Sequence, residues 1–212
     1  MVISKFGYTM VLCPEKVIFL SDRKTLLMAD VHLGKASHFR KAGLGIPLDI
    51  YKQDLRSLND VIIKYQPEEI VIMGDLFHST YNFEWEEFLD LLSVFKDINF
   101  ILLKGNHDIL LSKRYKANNL IVKEQMEMNN IILTHEPLNS VPEGRYNLYG
   151  HIHPAVRIKG RSKQSLRLPC FIFTEDSGIL PAFGRFTGLA TLKPNKSSEV
   201  YVVSENEVIQ LQ

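Results

Sequence analysis

The sequence predicts an α/β fold whose strands carry metal-binding residues to one edge of a sheet. Short apolar runs bounded by glycine or polar residues predict buried strands, and ligands gather beyond the carboxyl ends of strands in open α/β sheets. Six of the seven histidines, all but His38, lie at or a few residues after such ends. Five apolar runs lead directly into a residue able to bind a metal: Thr25–Asp30, Glu69–Asp75, Phe100–Asn106, Ile131–His135 and Tyr146–His151. The pattern indicates a metal site spread over half the chain.

The N-terminal segment is expected to form a hairpin ahead of the first of these strands. Residues 1–24 contain two β-rich pieces, Tyr8–Leu12 and Lys16–Leu20, joined by the turn residues Cys13, Pro14 and Glu15. The next strand then runs into Asp30.

Helices are expected between the strands that follow. The first covers roughly residues 34–41 and stops at Gly43. Pro47 opens the second, whose apolar residues recur every three or four positions and so form one buried face, and Pro67 ends it. The third covers roughly residues 83–96, has Glu84 and Glu86 favourably placed in its first turn, and buries Trp85, Phe88, Leu89, Leu92 and Phe95.

Alternating strands and helices through residue 106 predict a parallel sheet built from right-handed crossovers. After residue 120 the helical pattern ends, and short β segments continue to the C-terminus, including a hairpin-like pair at Val200–Val203 and Val208–Leu211. We expect residues 1–212 to form a single domain with a β-rich second half.

Composition excludes several classes of protein. The chain has 212 residues, 45% hydrophobic residues and a formal net charge of +1, so it has no general attraction to nucleic acid or to membranes. No apolar run approaches the roughly 20 residues that span a bilayer, and we expect a cytoplasmic protein. Cys13 and Cys170 form no spacing framework and are expected to be buried small hydrophobic residues.

The first two motifs combine carboxylates with histidines. Asp30 and His32 lie two positions apart at a strand end, where both side chains can reach one ion. Gly74 allows an unusual backbone angle or a close approach before Asp75, and the two oxygens of Asp75 can bridge two ions. His78 follows in the loop, where a position behind the metal ligands is favoured over direct ligation.

The third motif is Gly105-Asn106-His107-Asp108. The carbonyl oxygen of Asn106 suits a hard or borderline cation. His107 lies between a ligand and an acid, so Asp108 could fix its tautomer and raise its pKa, which makes His107 a candidate acid. Taken alone, this stretch could equally be a polar turn.

The remaining motifs are His135 at the end of a strand and Gly150-His151-Ile152-His153-Pro154. A single histidine at a strand end is usually structural. Two imidazoles two positions apart form a chelating pair whose rings can be divided between adjacent ions.

In this order, the motifs resemble those of the calcineurin-like metallophosphoesterase superfamily: D-x-H, G-D-x-x-H, G-N-H-D, a lone His and G-H-x-H. The resemblance implies a four-layer α/β/β/α sandwich of two mixed sheets flanked by helices, with a dinuclear metal centre at one edge. It implies that one ion binds Asp30, His32, Asp75 and His153. It implies that the other binds Asp75, Asn106, His135 and His151.

The implied chemistry is hydrolysis of a phosphodiester by a hydroxide that two divalent ions activate. Two such ions, less Asp30, Asp75 and the hydroxide, leave a centre of about +1 facing an anionic ester. His107 would protonate the leaving oxygen, oriented by Asp108. Oxygen and imidazole ligands without thiolate favour Mn, Fe or Zn, and family resemblance favours Mn.

Further stretches resemble a narrower group, the PdeM-like enzymes, or ligase-associated DNA damage response endonucleases. They are Asp30–Arg40 with Gly45-Ile46-Pro47, Leu168-Pro169-Cys170, and Leu180–Gly184 with Phe186-Thr187-Gly188. This resemblance implies a Mn-dependent phosphodiesterase, a DNA-repair nuclease associated with a DNA ligase and a helicase. The chain departs from the pattern after Gly188, where a second glycine is expected.

Basic residues beside these motifs could bind the substrate. Arg40 could hold phosphate through its guanidinium, and a solvated helix face is the alternative. Five bases without an acid follow His153, and they could follow a nucleic-acid backbone or form a solvated hairpin tip: Arg157, Lys159, Arg161, Lys163 and Arg167.

Two other functions fit the same sequence. The first is a phosphomonoesterase or nucleotide pyrophosphatase using the same dinuclear centre; the absence of a long insertion that could cap the site favours a bulky polymer instead. The second is a non-catalytic scaffold of this fold, which is disfavoured because every ligand position and His107 are filled.

Overall fold

The structure is a computed structural model, and it describes residues 1–41, 43, 45, 49–78, 81–110, 115, 120–160 and 164–211. Pro47, which is predicted to open the second helix, lies outside the described residues, as do Arg161 and Lys163. Three α-helices are defined within these ranges: α1 (Lys35–Lys41), α2 (Asp49–Tyr65) and α3 (Phe83–Val94).

The first sheet has seven strands within the described ranges, and they lie side by side in chain order. They are β1 (Val2–Lys5), β2 (Tyr8–Leu12), β3 (Ile18–Leu20), β4 (Thr25–Ala29), β5 (Glu69–Met73), β6 (Asn99–Leu103) and β7 (Leu120–Lys123). Strands β1 to β4 pair antiparallel, and β4 to β7 pair parallel. The predicted hairpin and parallel sheet are confirmed, and β1 is an additional strand.

The second sheet contains the β-rich half of the chain. Its strands are β8 (Met126–Met128), β9 (Ile131–Leu133), β10 (Tyr146–Tyr149), β11 (Pro154–Lys159), β12 (Ser165–Phe173), β13 (Ser177–Ile179), β14 (Ala190–Thr191), β15 (Glu199–Val203) and β16 (Val208–Leu211). Strands β9, β10 and β13 pair parallel. The long strand β12 pairs antiparallel with β11, β13 and β15, and β15 pairs with β16.

Alternating side chains along the strands divide the core into layers. In β4, Leu27 and Ala29 belong to a cluster that also contains Leu148 and Phe171 of the second sheet, so this cluster lies between the two sheets. Leu26 and Met28, on the other face of β4, pack in a cluster with α2 and α3. A smaller cluster on the second sheet includes Cys170 and Val202. The predicted architecture of two mixed sheets with flanking helices is confirmed.

Helix α3 shows how local sequence sets an element. The side chain of Asn82 accepts a hydrogen bond from Glu84 N (2.9 Å) and so caps the helix N-terminus. Trp85, Phe88 and Leu92 are buried as predicted. The prediction differs at Glu84, whose side chain is 1% exposed: Ser37 donates a hydrogen bond to it from α1.

Two further expectations concern cysteines and membranes. Cys13 and Cys170 are both buried and both free. Among the described residues, no helix combines the length and apolar character needed to cross a bilayer.

Candidate metal centre

The carboxyl ends of five strands bring the predicted ligands together. Asp30 directly follows β4, Asp75 lies two residues after β5, and Asn106 lies three residues after β6. His135 follows β9 and His151 follows β10, each by two residues. Because β4, β5 and β6 are parallel, as are β9 and β10, each sheet presents its own ligands at one edge.

Hydrogen bonds beyond the strand ends join the loops that carry the ligands. His32 N donates to Asp75 O (2.8 Å), and Asp30 N donates to Gly74 O (3.2 Å), so the first two motifs run together. His151 N donates to Asp30 Oδ2 (2.8 Å), which ties the second sheet to the first. The positions of the side chains are therefore set by backbone contacts.

Five of the predicted ligands have a left-handed backbone. The residues with positive φ are Asp30 (54°), His32 (52°), Asp75 (51°), His151 (63°) and His153 (52°). This conformation is uncommon outside glycine and costs on the order of 1–3 kcal/mol per residue, and such residues cluster at functional sites. The surrounding fold therefore holds these ligands in conformations that the chain alone would not favour.

The first ligand set converges within a few ångströms. His32 Nε2 lies 3.3 Å from His153 Nε2, which lies 3.4 Å from Asp30 Oδ1. Asp75 Oδ2 lies 3.7 Å from His32 Nε2. Donors about 2.1 Å from one ion, at tetrahedral to octahedral angles, lie about 3.0–3.4 Å apart. These separations fit a single ion.

The second ligand set has the same spacing. His135 Nε2 lies 3.0 Å from Asn106 Oδ1, 3.1 Å from His151 Nδ1 and 3.5 Å from Asp75 Oδ1. Asp75 therefore presents one carboxylate oxygen to each set. Its Oδ1 also accepts a hydrogen bond from His107 N (2.9 Å), which fixes the carboxylate in this orientation.

Backbone carbonyls determine which ring nitrogens face the centre unprotonated. His153 Nδ1 lies 3.2 Å from Gly188 O, and His135 Nδ1 lies 3.1 Å from Met73 O. A carbonyl only accepts, so each Nδ1 carries the proton and each Nε2 presents a lone pair. Histidine ligands of metals commonly donate their second ring N–H in this way.

The converging lone pairs require a cation. Asp30 Oδ1 is buried and has no hydrogen-bond partner among the described residues, and the lone pair of His153 Nε2 points towards it. A buried carboxylate oxygen without a partner is costly. A divalent cation would satisfy both groups, so the residues fit the predicted metal.

Burial keeps His32 in the neutral form that binds metals. Burial lowers the pKa of His32 to about 2, and the positive charge of Lys35 lowers it further. Burial also lowers the pKa of Lys35, while the carboxylates of Asp75 and Asp30 oppose that shift. The mutual effects show that the Lys35 ammonium lies within electrostatic range of the ligand cluster.

His78 and His107 lie together beside the first ligand set. Their rings stack with centroids 3.9 Å apart. His78 Nδ1 lies 3.2 Å from His32 Nδ1, so His78 contacts a predicted ligand from behind, which agrees with the position that the sequence favours. The ring centroid of His107 lies 5.7 Å from that of His32.

Asp108 has a different environment from the one expected. Its two oxygens accept hydrogen bonds from Phe77 N (3.1 Å) and Gly105 N (2.9 Å), whereas the sequence suggests that it orients the His107 ring. Burial raises the pKa of Asp108 to about 6, and the two backbone N–H groups oppose this shift. In this geometry the carboxylate joins the Asn106–His107 turn to the loop after β5.

The predicted substrate-binding residues lie in separate places. Arg40 Nη2 donates to Ser37 Oγ (2.6 Å) and lies 3.4 Å from Glu84 Oε1, so its guanidinium is directed at a buried carboxylate. Arg157 and Lys159 are exposed on β11, which begins directly after His153. Arg161 lies outside the described residues.

The sequence did not single out several groups at the centre. A carboxylate oxygen of Glu136 lies within 4.8 Å of ligand atoms of His135 and His151. Gly188 O fixes His153, but a backbone acceptor leaves no mark in the residue pattern. Glu136 could have been suspected because it directly follows His135.

Close packing explains the glycines of the motifs. Gly74 has φ +77°, and a Cβ there would lie 2.1 Å from His135 Nδ1, as expected for a position that needs an unusual angle and a close approach. At Gly105 a Cβ would lie 2.3 Å from Asp75 Oδ1 and 2.4 Å from Asp75 N.

We expect Gly105→Ala to weaken metal binding by roughly 10- to 100-fold, the range seen when groups that support metal ligands are disturbed. The added methyl would displace the Asp75 carboxylate that both ligand sets share. Metal titration measures the effect. Gly160→Ala is the matched control, since its Cβ would meet nothing nearer than 3.8 Å. Equal metal affinity in the two variants would contradict the position assigned to Asp75.

Comparisons with known proteins agree with this geometry. The family model described as calcineurin-like phosphoesterase matches residues 23–188. The crystal structure of Pseudomonas putida nuclease MPE is 27% identical, with a TM-score of 0.83, over 100% of this chain and 99% of that one. One of the two subunits of the nuclease SbcCD from Staphylococcus epidermidis is 31% identical over 114 residues, which are 49% of this chain and only 29% of that protein.

These matches confirm the superfamily that the motifs predict and, with it, the hydrolase class. The family match spans more than half of the chain and includes each predicted metal ligand and His107. The chain therefore belongs to the calcineurin-like phosphoesterase family.

Proposed function

We propose that this protein is a metal-dependent phosphodiesterase that cleaves nucleic acid, with two divalent ions held by seven residues. The single observation that carries the proposal is the arrangement around Asp75. One of its oxygens faces His32 at 3.7 Å and the other faces His135 at 3.5 Å. The proposed ligands are Asp30, His32, Asp75, Asn106, His135, His151 and His153.

The chain's own groups have separate roles in this proposal. When bound, the ions would supply positive charge that polarises the phosphate and lowers the pKa of a water. Asp75 holds the two positions together, and Gly188 O and Met73 O orient the rings of His153 and His135. His107 lies beside the cluster and donates a proton to the leaving oxygen.

Nucleic acid is the proposed substrate class. The similarity to Pseudomonas putida nuclease MPE over the whole chain supports it, and the partial similarity to the SbcCD nuclease agrees. Arg157 and Arg167 are paired across β11 and β12, on a hairpin that begins directly after His153. Exposed cations there are placed to contact a phosphate backbone.

Manganese is the proposed metal, on family resemblance and on a ligand set of oxygen and imidazole donors without thiolate. Association with a DNA ligase and a helicase is likewise proposed from resemblance alone. The core cluster shared by the two sheets supports the proposal that residues 1–212 form one domain.

Reconstitution tests the function. We expect apo protein to bind two equivalents of Mn, to gain thermal stability because ligands that bind only the folded state stabilise it, and to cleave oligonucleotides. Mn, Zn, Mg and Fe would be compared on single-stranded, duplex and nicked oligonucleotides. Bis-p-nitrophenyl phosphate and p-nitrophenyl phosphate would be assayed in parallel. Strong preference for the monoester would favour the phosphomonoesterase, and absence of any hydrolysis with two bound ions would favour the scaffold.

A further inference from the structure

A second pocket lies beside the proposed metal centre. It has a volume of about 360 Å³, within the range of roughly 300–1,000 Å³ that is usual for ligand sites. Its walls come from α1 and from the segment between β13 and β14, and they are formed by Lys35, Phe39, Arg185, Phe186, Thr187 and Gly188. The chemistry described above uses none of these side chains to bind metal.

Two aromatic rings form the apolar part of this pocket. Phe39 and Phe186 meet edge to face, with centroids 5.6 Å apart and an interplanar angle of 71°. Both side chains are half-buried, so each ring is partly open to solvent. An exposed ring face is a surface on which a planar base can stack.

The pocket is continuous with the first ligand set on both sides. Gly188 O accepts the hydrogen bond from His153 Nδ1 (3.2 Å). On the other wall, Lys35 N donates to His32 O (3.2 Å). A group bound in the pocket therefore lies next to a phosphate bound at the ligands His32 and His153.

The wall that carries Phe186 is fixed by a half-buried lysine and a buried aspartate. Lys16 Nζ donates to Phe183 O (2.5 Å) and to Gly184 O (3.3 Å). Asp54 Oδ1 accepts from Arg185 N (3.0 Å). A site held in this way needs little reordering when its ligand binds, which lowers the entropic cost of binding.

The charges at the pocket are all positive. Lys35 and Arg185 contribute cations, and none of the six lining residues is acidic. Aromatic rings beside cations suit a nucleotide, since the base can stack on a ring and the phosphates can pair with the cations.

We infer that this pocket binds the nucleotide adjacent to the scissile phosphate, with its base against Phe186 and Phe39 and its flanking phosphate near Arg185. The inference rests on the proposed nuclease function and adds to it a subsite that recognises the base. A base stacked inside a duplex cannot reach these rings, so the test uses single strands.

The test compares two strands with the same backbone. Oligo(dT) carries bases, and a strand of equal length made of tetrahydrofuran abasic residues carries none. For Phe186→Leu we expect the ratio of kcat/KM on oligo(dT) to kcat/KM on the abasic strand to fall by about 5- to 100-fold, the range that corresponds to loss of base stacking. Phe186→Tyr keeps a ring and should keep the ratio.

A packing control separates stacking from stability. Phe19 and Tyr65 form a comparable ring pair, with centroids 5.4 Å apart, in a part of the fold that contributes no predicted ligand. Phe19→Leu should leave the ratio at the wild-type value, and thermal unfolding of all variants checks that they fold. An unchanged ratio in a folded Phe186→Leu variant would overturn the inference.

Fluorescence gives a second measurement that does not depend on cleavage. A single strand carrying 2-aminopurine, mixed with metal-loaded protein in a stopped-flow instrument, should lose fluorescence before the first turnover as the base stacks. Phe186→Leu should reduce this loss, and equal quenching in the two proteins would count against the subsite. If wild-type protein cleaves neither strand, the proposed function itself fails. If it cleaves both strands at equal kcat/KM, only the subsite fails.

Discussion

Asp75→Ala is expected to remove both metal ions together and to lower phosphodiesterase activity by roughly 10³-fold or more, since bound metals contribute several kcal/mol to such reactions. The two oxygens of Asp75 face different ligand sets, at 3.7 Å from His32 Nε2 and 3.5 Å from His135 Nε2. Truncation takes one donor from each set. It also removes the acceptor of His107 N.

Metal content of the purified variant measures this effect. Asp75→Asn separates charge from geometry, because the amide keeps a carbonyl oxygen for His107 N while one negative charge is lost. We expect Asp75→Asn to bind metal more weakly than wild type but better than Asp75→Ala. Asp97→Ala is the matched control, since Asp97 is exposed on the surface. A variant at position 75 that keeps one ion at wild-type affinity would show that the carboxylate does not bridge.

The strands that build the site were predictable because burial on both faces leaves continuous apolar runs. All five residues of β4 are buried, as are four of the five in β5 and in β6. β1 was missed because none of its four residues is buried, so no long apolar run marks it. The local pattern of an edge strand depends on its neighbour, which here is β2.

The identity of the candidate ligands was also accessible, since each follows a strand end in a short motif. Their supporting contacts were not accessible. Arg40 and Glu84 lie 44 positions apart and meet only because α1 packs beside α3. The sequence suggests a phosphate contact for Arg40 and a helix-dipole role for Glu84, and the structure pairs the two side chains. Such contacts depend on tertiary packing that no local pattern encodes.

His107→Ala is expected to lower the rate of oligonucleotide cleavage by roughly 10²–10⁴-fold, the usual contribution of a general acid, while both ions stay bound. The ring of His107 stacks on His78 and is not needed to complete either ligand set. Steady-state rates and metal analysis on the same preparation measure the two quantities together.

The leaving group distinguishes a proton donor from a residue that only supports the site. p-Nitrophenolate leaves without a proton at neutral pH, whereas a deoxyribose alkoxide is strongly basic and needs one. If His107 donates that proton, the loss in His107→Ala is much smaller on bis-p-nitrophenyl phosphate than on an oligonucleotide. Equal losses on both substrates would instead mean that the ring stabilises the phosphate or the fold. Loss of metal would make His107 part of the metal site, because a proton donor beside the cluster leaves both ligand sets intact.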